Sequence, residues 1–318
     1  MQRPIIIGTR GSPLALYQAR LVQSLLKDKA GVASEIKTFT TSGDKLKGEL
    51  SQFGGKGLFT KELETALQEG MVDMAVHSMK DVPTQHQDGL KIGAVIVRED
   101  PRDAFISLKY KSLTELPQGA NVGTASLRRR AQLSHIRPDI KFSLLRGNVG
   151  TRLDKLKSGD CDATFLAYAG LKRLELNDTA TQIVSAENML NAPAQGAIGI
   201  EMRVKDSETE KHVAILNHEA TELAIVAERA FLRALDGSCR TPIAALGKID
   251  GDILHFKGEV YSIDGKLKFS RETRCQVSDK ETAYAAGFTL GRDIRTEIGD
   301  KDIWDLSLIH ISEPTRPY

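Results

Sequence analysis

The 318-residue sequence is poor in cysteine and in aromatic residues, with three cysteines, one tryptophan and 5% Phe, Trp and Tyr together. Cys161, Cys239 and Cys275 are an odd number without a Cys-x-x-Cys spacing, which disfavours both a disulfide framework and a zinc site. Bulk charge of one sign is also missing. Lys+Arg 44 against Asp+Glu 42 leaves a net charge of +2. Overall charge therefore directs the chain to neither nucleic acid nor membrane, and any anion site must be local. So few aromatics leave no stacking platform for single-stranded nucleic acid. No run approaches the length of about 18 apolar residues that a membrane span needs. The apolar stretch Ile5 to Ile7 is too short for the core of a secretory signal. A Ser/His/Asp constellation, a histidine pair at i, i+4 and a metal-ligand cluster are all missing, so hydrolase and metalloenzyme readings lose support and no metal is expected. The chain reads as a reduced, cytoplasmic protein with no membrane and no nucleic-acid partner.

What is present is ordinary for a globular protein, 41% hydrophobic and 27% charged. At this length two or three domains are expected rather than one core. Helical and strand signals alternate through the first part of the chain, which argues for α/β architecture. Ile5 to Gly8 predicts a buried strand, followed by a helix with Leu14, Tyr17, Leu21, Val22 and Leu25 on one face. A helix is expected near Lys61 to Glu69 and a strand at Met71 to His77.

Two pairs of segments echo each other in the same order. IGTRGS (Ile7 to Ser12) leads into a helix, as does VGTAS (Val122 to Ser126); EGMVDMAV (Glu69 to Val76) is matched by SGDCDATF (Ser158 to Phe165). Gly-Thr and Gly-x-x-Asp turns are common, but two matches in one order favour two related lobes. Facing α/β lobes create a cleft lined by strand ends. From about residue 218 the texture changes. Glu219 to Leu235 predicts an amphipathic helix stopped at Asp236-Gly237. Strands are expected at Ile253 to Phe256, Glu259 to Ile263 and Leu267 to Arg271, with an Asp264-Gly265 turn, then a helix near Glu281 to Gly291. Residues 307–318 continue no pattern and read as an unstructured or non-native tail.

Positive charge is concentrated in one place. Between Asn121 and Arg152 lie Arg128, Arg129, Arg130, Arg137, Arg146, Arg152 and Lys141, against the single acid Asp139. Arg128 follows a Gly-Thr-x-Ser turn at a helix N-terminus, and Arg146 precedes Gly147-Asn148-Val149-Gly150. Backbone N–H groups there favour anions. Arginine rather than lysine suits two-pronged contacts to carboxylate or phosphate. A small polyanionic ligand fits this pattern. Ser42 to Gly57 holds five glycines and few apolar residues, which suits a mobile lid. In VHSMKDVP (Val76 to Pro83), Asp81 is either a cleft-facing carboxylate at a strand end or a turn aspartate. Cys161 and Cys275 fall in strand-like runs and read as packing residues. Cys239, in LDGSCRTP, has the loop context of an accessible thiol. A helix C-terminus before it disfavours the thiolate and Arg240 beside it favours it, which leaves the sign open.

Four segments together resemble the porphobilinogen deaminase (hydroxymethylbilane synthase) family: HSMKDVP (His77 to Pro83), TASLRR (Thr124 to Arg129), LRGNVGTRL (Leu145 to Leu153) and GSCRTPI (Gly237 to Ile243). GGKGLFTKEL (Gly54 to Leu63) and AQGAIGIE (Ala194 to Glu201) extend the likeness, which runs from about Ile5 to Gly291. The resemblance implies two periplasmic-binding-protein-like lobes plus a small α+β third domain. It implies residues 1–96 and 197–214 as the first lobe, 102–190 as the second, and 218–306 as the domain carrying the cofactor cysteine. It implies a transferase that condenses four porphobilinogen molecules, with loss of ammonia, on a dipyrromethane cofactor held by a thioether to Cys239. Asp81 falls on the family's catalytic aspartate. Lys80, Ser126, Arg128, Arg129 and Arg152 are then expected to hold the cofactor. Arg10, Ser12, Lys56, Thr124, Arg146, Arg173 and Gln195 are expected to hold substrate. Each pyrrole brings an acetate and a propionate, so an arginine-lined cleft suits the ligand. The family implies a monomer. Three positions depart from its pattern: Gln52 stands where many members have lysine, Ala194 replaces a common glycine, and Arg130 is often uncharged in relatives. A non-catalytic binding protein of the same two-lobe form is the rival reading.

Overall fold

The computed structural model describes residues 3–45, 57–237, 241–301 and 303–304. Gln52, Lys56, Cys239 and the tail from residue 307 lie outside the described residues, as does most of the segment expected to form a lid.

The first lobe is built on a five-stranded sheet of β1 (Ile5–Arg10), β2 (Ser34–Phe39), β3 (Met74–Ser78), β4 (Leu90–Val95) and β10 (Ile198–Arg203), in the order β2-β1-β3-β10-β4. Its helices are α1 (Pro13–Leu25), the short α2 (Ser42–Lys45), α3 (Lys61–Gln68) and α7 (Ser207–Ala214). The second lobe repeats the plan with β5 (Asp103–Ile106), β6 (Asn121–Gly123), β7 (Lys141–Ser143), β8 (Ala163–Ala167) and β9 (Gln182–Ile183), ordered β7-β6-β8-β5-β9. Around it run α4 (Leu127–Ile136), α5 (Val149–Lys157) and α6 (Tyr168–Arg173). In each sheet one strand runs against its neighbours, β10 in the first and β5 in the second. Each is the strand by which the chain arrives from the other lobe, so two linkers, 96–102 and 184–197, cross between them.

The sequence echo maps onto equivalent places. β1 leads into α1 and β6 into α4, and each helix is capped by a serine: Ser12 Oγ accepts from Ala15 N at 3.3 Å and Ser126 Oγ from Arg129 N at 3.4 Å. The repeated aspartates also share a task. Asp73 accepts from Ile6 N at 2.8 Å and Asp162 from Asn121 N at 2.9 Å, each tying the start of one central strand to the next. A Cβ on Gly123 would lie 2.7 Å from Cys161 Sγ, so the glycine and the buried thiol pack as a pair.

The third domain is a three-stranded antiparallel sheet of β11 (Ile243–Asp250), β12 (Ile253–Tyr261) and β13 (Lys268–Gln276), covered by α8 (Glu219–Ala234) and α9 (Lys280–Ile298). Its core is centred on Phe231 and Phe256, whose rings meet edge to face at 5.6 Å. Two short strands were expected over 253–263, and the structure has one, β12. Gly258 does not interrupt it, because the Phe231 ring lies against the glycine where a Cβ would be. β13 and α9 also run past their expected ends, carried by packing on that core; Cys275 sits half-buried in β13 beside it.

The domain touches both linkers. Glu228 of α8 is fully buried and binds Arg98 Nη1 at 2.6 Å, the Ala194 amide at 2.5 Å and the Gly247 amide at 2.8 Å. One carboxylate thereby joins the two crossings to the third domain. On the second lobe, His135 pairs with the Gly265 carbonyl at 2.9 Å and packs edge to face on Tyr261.

Candidate active-site cleft

A cleft of about 1410 Å³ opens between the two lobes. It exceeds the ~300–1,000 Å³ of ordinary small-ligand pockets, leaving room for several linked rings. Among the described residues its charged lining is Arg10, Lys80, Arg129, Arg146, Arg152 and Lys155 against Asp44, Asp81 and Asp154.

Asp81 ends a single 3₁₀ turn, Met79–Asp81, that follows β3. The turn is fixed at its start, where Met79 N donates to Ala197 O at 3.0 Å on the returning chain. It is fixed after its end by Arg229 of α8, which donates to Val82 O at 2.9 Å and Pro83 O at 2.5 Å. Asp81 itself is half-buried and its carboxylate has no hydrogen-bonding partner among the described residues. Lys80 projects beside it into the cleft. Solvent reaches Lys80, yet protein surrounds the amine closely; that desolvation pushes its pKa down, with Asp81 opposing and Arg129 adding to the effect.

Arg146 and Arg152 flank the turn before α5. Gly147 has φ +120°, a conformation open to glycine, and its carbonyl accepts from Arg152 Nε at 2.8 Å. Asn148 caps the helix, accepting from Thr151 N at 2.9 Å. Burial, then the charges of Arg129 and Arg146, push the Arg152 pKa down to about 10. Arg146 Nη1 is buried without a partner among the described residues. Among the described residues neither Arg146 nor Arg152 has an acid within ion-pair distance.

Arg129 reaches the cleft while its guanidinium is anchored behind it, by Asp103 at 2.8 Å and Phe165 O at 2.7 Å. Asp103 is the hub there: fully buried on β5, it also accepts from Arg128 at 2.6 Å and Gln195 at 3.0 Å. Its own burial would raise its pKa, but the two guanidiniums outweigh that and hold it well below the carboxylate range. Arg128 turns away from the cleft and donates to Leu190 O at 2.6 Å; Arg173 donates to Gly196 O at 2.7 Å. Among the expected site residues, Arg128, Arg173 and Gln195 thus support the cleft from behind, Ser126 caps α4 and donates its amide to Thr124 Oγ1 at 3.1 Å, and none of these five lines the cleft. Arg10, Ser12, Lys80, Asp81, Arg129, Arg146 and Arg152 line it together. Arg10 forms a two-pronged ion pair with Asp44 of α2 and lies 4.4 Å over the Phe59 ring.

Asp103, Asp44, Glu201 and Arg229 escaped sequence reasoning. Glu201 closed a quoted motif, but nothing local marked any of these side chains as a partner of residues 20 to 150 positions away. Among the described residues no helix is long and apolar enough to cross a membrane, and no group of three or more His, Cys, Asp or Glu could hold a metal ion.

Residues 5–211 match the family model for the porphobilinogen deaminase dipyrromethane cofactor-binding domain, and residues 222–296 match that for the porphobilinogen deaminase C-terminal domain. A porphobilinogen deaminase of Nitrobacter hamburgensis is 49% identical over 299 residues, covering 93% of this chain and 94% of that protein. Solved structures with similarity include a YaeC-family lipoprotein of Enterococcus faecalis (17% identity, TM-score 0.45, 69% of this chain and 94% of that one). Another is a nutrient-binding protein of Burkholderia cenocepacia bound to methionine (17% identity, TM-score 0.41, 67% and 90%).

Proposed function

The chain belongs to the porphobilinogen deaminase family, transferases built around a dipyrromethane cofactor, and from that premise we propose that Asp81 is its catalytic carboxylate and Cys239 its cofactor anchor. The reaction is stepwise condensation of four porphobilinogen molecules into the linear tetrapyrrole hydroxymethylbilane, with release of ammonia at each step, in tetrapyrrole biosynthesis. The observation that carries the site assignment is the carboxylate of Asp81, unpartnered among the described residues, in a cleft whose other charged residues are mainly cations.

The residues present fit the cofactor. Two linked pyrroles bring four carboxylates, and the cleft offers Arg129, Arg146, Arg152 and Lys80, with a buried, unpartnered nitrogen on Arg146. When bound, the dipyrromethane supplies the pyrrole carbon to which the first substrate is joined. The side chains do the rest. Arginines pair with the acetate and propionate groups and fix ring orientation. Asp81 accepts from the pyrrole N–H of the incoming substrate and stabilises the positive charge that develops as ammonia departs. One such preorganised group is worth roughly 3–4 kcal/mol. Lys80, next to Asp81 and with a lowered pKa, holds a ligand carboxylate while keeping the local charge positive. Arg10 exchanges Asp44 for a substrate carboxylate, with Ser12 beside it. Thr124, Ser126, Arg128, Arg173 and Gln195 act by holding these groups in place, and Lys56, outside the described residues, is assigned to substrate by the family likeness alone. The working unit is a cytoplasmic monomer that binds no nucleic acid, divided at residues 1–96 with 197–214, 102–190 and 218–306.

The test is Asp81→Asn. Turnover should fall about 100- to 1,000-fold while thermal unfolding stays near that of the parent chain. Near-normal turnover removes Asp81 from the catalytic role.

A further inference from the structure

Among the described residues, Arg229 is a cation without an acid. It rises from α8 in the third domain, and among the described residues no carboxylate lies within ion-pair distance of its guanidinium. Burial pushes its pKa down to about 10, against the attraction of Glu201. Holding an unpaired cation in that place is costly, and the contacts made in return are specific. Two go to the carbonyls of Val82 and Pro83, the residues directly after Asp81. The third joins Nη2 to His86 Nε2 at 3.3 Å.

A guanidinium only donates, so His86 Nε2 must accept and the ring's proton must sit on Nδ1. Nδ1 faces Glu201 Oε1 at 3.7 Å. Glu201 is fully buried on β10 and takes His77 Nε2 at 2.9 Å on its other oxygen. The charged and titratable groups facing His86 are therefore Arg229 from α8, Glu201 from β10, and His77 and Glu64 from β3 and α3. This arrangement leads from a buried acid, through a neutral imidazole and a guanidinium, to the backbone that carries Asp81. A second proton on His86 would place two donors face to face and weaken the hold on that backbone.

We propose that Arg229 is a positioning residue for Asp81, completed by His86 in its neutral, Nδ1-protonated form and oriented by Glu201. The inference rests on the reading of Asp81 as the catalytic carboxylate. It gives α8 two duties: in sequence it leads toward Cys239, and from its middle it holds the first-lobe backbone directly after Asp81.

The experiment uses the cofactor-loaded protein and porphobilinogen. Arg229→Gln should lower kcat about 10- to 100-fold with KM within about twofold, since a misplacement near 1 Å costs on that order. Intact mass should show the cofactor retained. Arg229→Lys, which keeps the charge but cannot reach both carbonyls with one fork, should show the same split and stands in if the glutamine variant does not fold. In an Asp81→Asn background, Arg229→Gln should cost little more. ¹⁵N-imidazole NMR of the parent protein near neutral pH should find the His86 proton on Nδ1. A kcat within about twofold of the parent in both Arg229 variants, or a proton on His86 Nε2 at that pH, overturns the inference. If Asp81→Asn is itself near normal, the reading of Asp81 fails instead; if Asp81→Asn is dead and the Arg229 variants are active, only the positioning role fails.

Discussion

Asp103 and Glu201 are buried carboxylates that keep the cationic cleft in order, and each makes a testable claim. Removing Asp103 leaves the guanidiniums of Arg128 and Arg129 buried without their acid. Asp103→Ala should therefore destabilise the chain by about 3–5 kcal/mol, read as a fall in Tm. Glu201 makes its claim through pH. Its burial favours protonation, but the hydrogen bond from His77 and the nearby His86 outweigh that and bring its pKa from 4.5 down to about 2. A folded-state pKa below the unfolded one stabilises the fold above the unfolded value and loses that stabilisation as pH falls. The contribution, about 3 kcal/mol, should be complete above pH 4.5 and fade toward pH 2. Glu201→Gln should flatten the dependence of Tm on pH across that window; an unchanged slope would show the carboxylate is not titrating there. At this scale the sequence was half legible. The arginine cluster was visible as excess charge, and Asp81 as one of two alternatives. Which arginines were neutralised was not visible, because Asp103 lies 25 positions before Arg128 and is joined to it only by the packing of β5 against α4.

Among the elements, the turn from β7 into α5 contributes most to the cleft. Gly147 adopts φ +120°, and a Cβ there would stand 2.8 Å from Thr151 Cβ, so Gly147→Ala is both strained and crowded. The carbonyl that anchors Arg152 belongs to this residue, and Arg146 precedes it. Gly147→Ala should lower Tm by a few degrees and make intermediates carrying two or more added pyrroles accumulate less, as read by mass spectrometry of trapped complexes. Unchanged intermediates would separate the turn from ligand holding. Helices were legible because their apolar residues recur at three and four positions, and Ser12 and Ser126 marked two starts. The gap expected between Phe256 and Glu259 is absent, because Gly258 continues β12 as the floor beneath Phe231. Tyr17 joined the expected apolar face of α1 but is exposed, since that end of the helix faces solvent beside the cleft.

At the scale of the whole molecule, two lobes of one plan are joined by two linkers and braced by a third domain through Glu228 and Arg229. The repeated plan was readable in the Gly-Thr and Gly-x-x-Asp echoes, whose serines and aspartates perform the same hydrogen-bonding tasks in both lobes. The return of the chain into the first sheet through β10 came from the family likeness and not from pattern. A run such as AIGIEMR shows that it is buried, not which sheet it enters. The brace also gives α8, which runs in sequence toward Cys239, a hold on the backbone directly after Asp81, the proposed catalytic carboxylate. The central claim is that Cys239 carries a dipyrromethane on which Asp81 builds the product. The intact mass of the purified chain tests it most directly. It should exceed the sequence mass by two linked pyrrole units, and the excess should vanish in Cys239→Ser; active protein with an unmodified Cys239 would contradict the account.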